Sequence, residues 1–107
     1  MKSLLAIFVA LLFSLLLSAQ SPRAYITNYD TNYISVIDLG SMKNIAGIKT
    51  GKNPHGVSVS PNGKFVAVSN EGENTVSIID PVTNTVTNTI PVGSHPHQLS
   101  FTKDGAA

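Results

Sequence analysis

The sequence predicts an all-β fold built from four-stranded antiparallel units, and three observations predict it. The chain matches itself at an offset of 42 residues, with eleven identities in the 41 positions that pair residues 24–64 with 66–106. Each unit holds short β-branched apolar runs, such as residues 33–39 and 75–80, and no convincing amphipathic helix. Turn sequences rich in Gly, Asn, Asp and Pro separate these runs. A period near 40 with four strands per repeat is typical of β-propeller blades.

Residues 1–19 are predicted to be a signal peptide. Lys2 supplies a positive start, residues 4–17 form an almost unbroken apolar run, and Ala19 offers a small residue for cleavage. The run is shorter than the roughly 18 to 20 residues that a transmembrane helix needs, so cleavage is favoured over a membrane anchor. The mature chain is therefore expected to be exported to the periplasm, the cell surface or the medium, with no stable membrane insertion.

The mature chain, residues 20–107, is predicted to be a partial β-propeller with balanced charge. It contains six basic and six acidic side chains, because Lys2 is the seventh basic residue. This balance disfavours electrostatic binding of nucleic acid or anionic lipid. The chain has no cysteine, so no disulfide scaffold or Cys-based haem attachment is available.

The strands are expected in a fixed order within the repeat. The complete unit is predicted to have strands at residues 55–60, 65–70, 75–80 and 85–92. Residues 24–50 supply the last three strands of one blade, 55–92 a full blade, and 97–101 the first strand of a third. One connecting loop differs between units, residues 39–42 (LGSM) against 81–84 (PVTN), so its shape is expected to differ.

The repeat resembles a known family. The stretches AYITN and FVAVSN, NYISVIDL and NTVSIIDP, and IKTGKNPHGVSVSPNG and NTIPVGSHPHQLSFTKDG are similar to the YVTN-type β-propeller repeat, across residues 24–105. The resemblance implies that the strand after each Pro-His is the innermost of its blade, along the central channel. It also implies that the strand ending near Gly93 is the outermost.

Most of the repeated polar and turn residues are expected to shape the fold. Asp38 and Asp80 could suggest a pair of catalytic carboxylates, but they are copies of one turn residue and are expected to accept backbone N–H bonds in the following loop. The positions assigned to structure are Asn28, Asn70, Asp38, Asp80, Gly51, Gly93, Pro54, Pro96, Gly63 and Gly105.

His55 and His97 are the candidate ligand-binding residues. Each follows a Pro at the start of an innermost strand, where a ring of imidazoles could bind a metal, haem or an anionic ligand. The favoured alternative is packing at the edge of the core between blades, because His55 shares strand parity with Val57 and Val59. His95 is not repeated and is expected in an exposed loop. No catalytic residue, phosphate loop or dinucleotide fingerprint is identified, so cofactor and metal stay unassigned.

Two blades cannot close a propeller, since each sheet is buried between two neighbours. The missing partners are either further blades of a longer chain or other copies of the chain arranged in a ring. The leading functional hypothesis is a non-catalytic exported scaffold that binds a protein, glycan or small molecule. The alternative is part of an extracytoplasmic propeller enzyme or redox protein, lactonase-like or linked to haem or quinone, whose site lies mostly in other blades.

Overall fold

The computed structural model describes residues 21–105, which form two antiparallel sheets, each with its strands in chain order. The predicted signal peptide, residues 1–19, lies outside the described residues. Within residues 21–105 there is no helix that could cross a membrane. The first sheet contains β1 (Arg23–Asn28), β2 (Tyr33–Asp38) and β3 (Lys43–Lys49), and the second contains β4 (Pro54–Val59), β5 (Val66–Asn70), β6 (Thr75–Asp80) and β7 (Thr85–Pro91).

These two sheets confirm the all-β fold class and the blade pattern of three strands followed by four. The strands of the second sheet begin and end within one residue of the predicted positions. Residues 97–101 belong to neither sheet. A β-strand is recognised by its hydrogen bonds to a neighbouring strand. The described residues contain no other strand of a third blade with which residues 97–101 could pair. Its role as the first strand of a third blade therefore stays a prediction.

The core lies between the two sheets and follows from the period-two alternation of the strands. In the first sheet Ile34 pairs with Ile48 and Val36 pairs with Ala46, so their side chains share one face. In the second sheet Val66 lies opposite Ile79. The buried core residues are Ile34, Val36, Ile48, Val66, Val68 and Ile79.

The outer faces of the two sheets carry the same kind of residue as the buried face between them. Ile26 is 47% exposed on the first sheet, whereas its repeat equivalent Val68 is fully buried. Ile90 is 46% exposed on the second sheet, whereas its equivalent Ile48 is 3% exposed. Each outer face therefore repeats the apolar surface that is buried where the two sheets meet.

The turns repeat as faithfully as the strands. A left-handed backbone conformation occurs at equivalent positions of both units, in the pairs Asn32 and Asn74, Met42 and Asn84, Asn53 and His95, and Gly63 and Gly105.

The loop after Asp38 was expected to differ in shape from its counterpart after Asp80, but both loops place their fourth residue in the left-handed region. The φ angle is 58° at Met42 and 54° at Asn84. In both loops the preceding Asp carboxylate accepts a backbone N–H, from Ser41 at 2.8 Å and from Val82 at 2.9 Å. The caps fall on different residues, since Ser41 is the third residue after Asp38 and Val82 is the second after Asp80. The two loops therefore share the left-handed fourth residue and differ in the cap.

Candidate functional site

The connection that leads into each Pro-His step is fixed by one repeated asparagine. The Oδ1 of Asn32 accepts the backbone N–H of Asn53 at 2.9 Å, and the Oδ1 of Asn74 accepts that of His95 at 3.0 Å. Both asparagines have positive φ, which Asn tolerates better than most residues. The backbone before Pro54-His55 and before Pro96-His97 is therefore held by the same hydrogen bond.

Hydroxyl groups of one unit then hold the histidine backbone of the next. The Thr27 hydroxyl donates to the carbonyl oxygen of His55 at 3.1 Å, and the equivalent Ser69 hydroxyl donates to the carbonyl oxygen of His97. Ser69 Oγ also accepts the backbone N–H of Gly56 at 2.8 Å. A Cβ at position 56 would overlap the His97 carbonyl oxygen, so this close approach requires glycine.

This backbone arrangement brings the two repeated imidazoles together. The ring centroids of His55 and His97 lie 4.5 Å apart with an interplanar angle of 28°. Tyr29 contacts His55 edge-on, with ring centroids 6.3 Å apart at 83°. His55 is exposed and the His97 side chain is 57% exposed. The stack therefore faces solvent.

The exposure of both histidines corrects the favoured expectation that they pack at the edge of the core. The parity argument counted from Val57 back to His55 on a regular strand. The ladder between β4 and β5 shifts register between Pro54 and Val57, so parity is not preserved across that interval. Pro54 is fully buried and carries the packing, which leaves His55 outside.

Glu71 completes the cluster. Its Oε2 lies 3.3 Å from His97 Nε2, and its Oε1 accepts a long hydrogen bond of 3.5 Å from the Tyr29 hydroxyl. The Glu71 side chain is 19% exposed. Partial burial and the nearby Glu71 carboxylate raise the pKa of the Tyr29 hydroxyl, so Tyr29 remains a neutral donor at neutral pH.

One nitrogen from each histidine and one carboxylate oxygen of Glu71 lie within 4.8 Å of one another. Two imidazoles and a carboxylate are donors that divalent transition metals accept. The sequence pointed to His55 and His97, whereas Glu71 lies between two predicted strands, residues 65–70 and 75–80. The 42-residue offset does pair Glu71 with Tyr29, but it does not reveal that either side chain reaches the histidine of the following unit.

The repeat positions assigned to structure lie in strand ends and turns, and three of them, Asn70, Pro54 and Pro96, directly precede the residues of this cluster. Asn28 and Asn70 each donate through Nδ2 to a serine hydroxyl on the adjacent strand, Ser35 and Ser77, at 2.8 Å. Asp38 and Asp80 cap their loops as described above and lie in separate sheets, so they form no carboxylate pair.

The remaining repeated positions differ in their surroundings. A Cβ at Gly51 would clash with the carboxylate of Glu73, whereas a Cβ at Gly93 would meet nothing within 4 Å. Pro96 is half-buried where Pro54 is fully buried. Gly63 and Gly105 adopt φ angles of 71° and 69° in their turns. Gly93 and Pro96 are more open than Gly51 and Pro54, since within residues 21–105 no sheet is stacked on the outer face of the second sheet.

A separate cleft of about 400 Å³ lies between the start of β1, the end of β4 and the loop after β6. Arg23, Tyr25, Val59 and Pro81 line it. The guanidinium of Arg23 donates to the Pro81 carbonyl oxygen at 2.9 Å, which links the two sheets. Arg23, the charged residue among the described lining residues, thus already has a hydrogen-bond partner within the fold.

Comparison with known proteins agrees with this architecture. A family model described as YNCE-like β-propeller matches residues 3–106. Over 44 residues the chain is 59% identical to the PE-PGRS family protein PE_PGRS18 of Mycobacterium tuberculosis, a stretch that covers 41% of this chain and 9% of that protein.

Solved structures show the same fold. Hydrazine synthase of Kuenenia stuttgartiensis aligns with a TM-score of 0.76 and 24% identity, over 78% of this chain and 24% of that chain. A functionally unknown protein of Desulfotomaculum acetoxidans aligns at 0.70 with 18% identity, over 78% and 29%. A dihydro-haem d1 dehydrogenase aligns at 0.67 with 20% identity, over 76% and 17%. The chain spans less than a third of each of these relatives.

Proposed function

The chain belongs to the YNCE-like β-propeller family, and on that premise we propose that it forms blades of an exported scaffold that binds a ligand at the channel mouth. This family membership confirms the predicted resemblance to YVTN-type β-propeller repeats. Ligand binding, export and assembly are the parts of the proposal that experiments must test.

The observation that carries the binding role is the solvent-facing His55–His97 stack. Polar side chains with no structural duty are the usual constituents of a binding surface. The hydroxyls of Thr27 and Ser69 bind the carbonyl oxygens of His55 and His97, so the backbone is held without the imidazoles. Both imidazoles face solvent, and that of His97 also pairs with Glu71. A rigid backbone beneath exposed rings reduces the entropy that a bound ligand must overcome.

The assembly part of the proposal rests on the two outer faces. Val68 and Ile48 are buried where the sheets meet, and their equivalents Ile26 and Ile90 occupy the same positions on open faces. Fully covering such a side chain contributes about 1.5–3 kcal/mol. We therefore propose that further sheets of the same repeat cover these faces, supplied either by a longer chain or by copies of this one.

The export part rests on the charged start and apolar run of residues 1–19. Expression with the native N-terminus, followed by fractionation and N-terminal sequencing of the product, tests it. We expect a mature protein outside the cytoplasm that begins at Gln20 or close to it. An intact N-terminus in the cytoplasmic fraction would contradict export.

Binding is tested with the purified product on arrays of glycans and peptides, alongside a double variant with His55→Ala and His97→Ala. We expect at least one class of probe to bind the parent chain and to be lost from the variant. Circular dichroism of both proteins controls for folding. Equal binding by the folded variant would show that the histidines are not the binding surface.

The visible spectrum of the same product distinguishes the scaffold from the alternative of a redox or cofactor-dependent enzyme. Two structurally similar proteins are named as enzymes, a hydrazine synthase and a dihydro-haem d1 dehydrogenase. Their identities of 24% and 20% support a common fold and leave activity open. Haem or quinone bands in the product would overturn the scaffold proposal, whereas a transparent spectrum would support it.

A further inference from the structure

We propose that His55, Glu71 and His97 bind a divalent transition-metal ion, with Zn²⁺ as the representative. The proposal rests on the binding role of the channel mouth and names its ligand class. It differs from the sequence-based hypothesis of an imidazole ring, because it requires a carboxylate that the repeat does not conserve between units.

The distances fit a metal site that is partly formed. Two ligand atoms on a tetrahedral Zn²⁺ with bonds of 2.0–2.2 Å are separated by about 3.3 Å. His97 Nε2 and Glu71 Oε2 are already 3.3 Å apart. The donor atom of His55 lies within 4.8 Å of both. His55 is exposed, so rotation of its side chain can close the remaining gap without disturbing the core.

The donor set matches the chemistry of a catalytic or ligand-presenting zinc site. Neutral imidazole and carboxylate are borderline and hard donors that suit Zn²⁺, Cu²⁺ and Ni²⁺. Three protein ligands leave the fourth tetrahedral position for water or an outside ligand. Because the cluster faces solvent, that position is accessible.

Backbone constraints hold the three ligands from different segments. Thr27 fixes the His55 carbonyl and Ser69 fixes that of His97, as described above. The backbone N–H of Glu71 donates to the Asn53 carbonyl oxygen at 3.0 Å, which ties the Glu71 turn to the segment leading into His55. Outer interactions of this kind orient metal ligands and strengthen binding.

The preceding unit has the same backbone arrangement but lacks an acidic residue at the position of Glu71. Tyr29 occupies the position equivalent to Glu71, and it contacts His55 edge-on. A phenol hydroxyl lacks the negative charge that a carboxylate offers to a divalent ion. Position 71 therefore decides whether the histidine of the next unit gains an anionic partner.

The test is a titration of the purified, chelator-treated chain with Zn²⁺ by isothermal calorimetry. We expect one ion per chain. Three ligand variants, His55→Ala, His97→Ala and Glu71→Gln, are each expected to lower the affinity by at least about tenfold. Glu71→Tyr, which copies the first unit, is expected to do the same while the histidine stack remains.

His95→Ala is the matched control, because His95 is an exposed imidazole two residues from His97 and outside the cluster. It should bind Zn²⁺ with the parent affinity. Titration with Co²⁺ gives a second readout, since its visible d–d bands report tetrahedral coordination and should be lost from the three ligand variants. Circular dichroism confirms that each variant is folded.

Failure takes a defined form. Absence of stoichiometric Zn²⁺ binding by the folded chain, unchanged affinity in Glu71→Gln, or an equal loss in His95→Ala would each overturn the metal site. If Zn²⁺ does not bind but a glycan or peptide still requires both histidines, the metal inference fails and the scaffold proposal stands.

Discussion

Replacing Gly56 by alanine should disturb the place where the two inner segments approach each other most closely. The added Cβ would lie 3.0 Å from Ser69 Oγ and 3.2 Å from Gln98 Cα, and it would overlap the His97 carbonyl oxygen. Overpacking of this kind costs about 1–3 kcal/mol. The required shift also weakens the two hydrogen bonds of Ser69, at about 0.5 kcal/mol each. We expect a total loss of about 2–4 kcal/mol in the free energy of unfolding.

Urea denaturation followed by circular dichroism measures this loss. With a slope of about 1–2 kcal/mol per molar urea, the midpoint should fall by about 1–4 M while the slope is unchanged. Gly47→Ala is the matched control, because a Cβ there would meet Tyr33 at an ordinary 3.8 Å. Its stability should stay within about 1 kcal/mol of the parent. Equal midpoints for the parent and Gly56→Ala, or an equal drop in both variants, would refute the close-approach argument.

Three further predictions concern the turns and the core. Met42→Asn should stabilise the chain by about 0.5–1 kcal/mol, because Met42 has a φ of 58° and is 73% exposed; a lower urea midpoint would contradict this. The hydroxyl and backbone N–H of Ser41 lower the pKa of Asp38, so its stabilisation is present above the unfolded pKa near 3.9 and is lost as pH falls through the lowered folded value. The midpoint gap between the parent and Asp38→Asn should therefore be largest at pH 7 and shrink below about pH 4, and a gap that does not change with pH would exclude this linkage. Ile79→Val in the core should cost about 0.5–1.5 kcal/mol by the same assay, and Ile37→Val at the equivalent open position should cost less; the reverse order would contradict the assigned core.

The sequence predicted the repeated features well because they depend on local rules. Strands such as Thr75–Asp80 follow from β-branched runs between turn residues, and the 42-residue period supplies the same result twice. The Asp caps follow from the side chain's ability to accept nearby N–H groups. These signals are contained in a few consecutive residues.

The site was only half predicted, because its remaining parts depend on contacts between units. The register shift after Pro54 turns the His55 side chain outward, and no residue type in β4 predicts such a shift. Glu71 contacts His97 across 26 positions of sequence, where the Ser69 hydroxyl also binds the His97 carbonyl oxygen. Position 42 was also not predicted, since its backbone is left-handed with Met as it is at Asn84, although the Asp caps of the two loops fall on different residues.

The repeated apolar faces have a consequence for cooperativity. Nearest-neighbour contacts between units are a main source of stability in repeat proteins. A row of n sheets has n − 1 such contacts and a closed ring has n, so closure adds a whole contact without ordering any further residue. With Ile26 on one open face and Ile90 on the other, the two ends of any such row present surfaces equivalent to Val68 and Ile48, which are buried together in the core. Fewer units make that last contact a larger share of the total, so a small ring should unfold more nearly as one body than a long one.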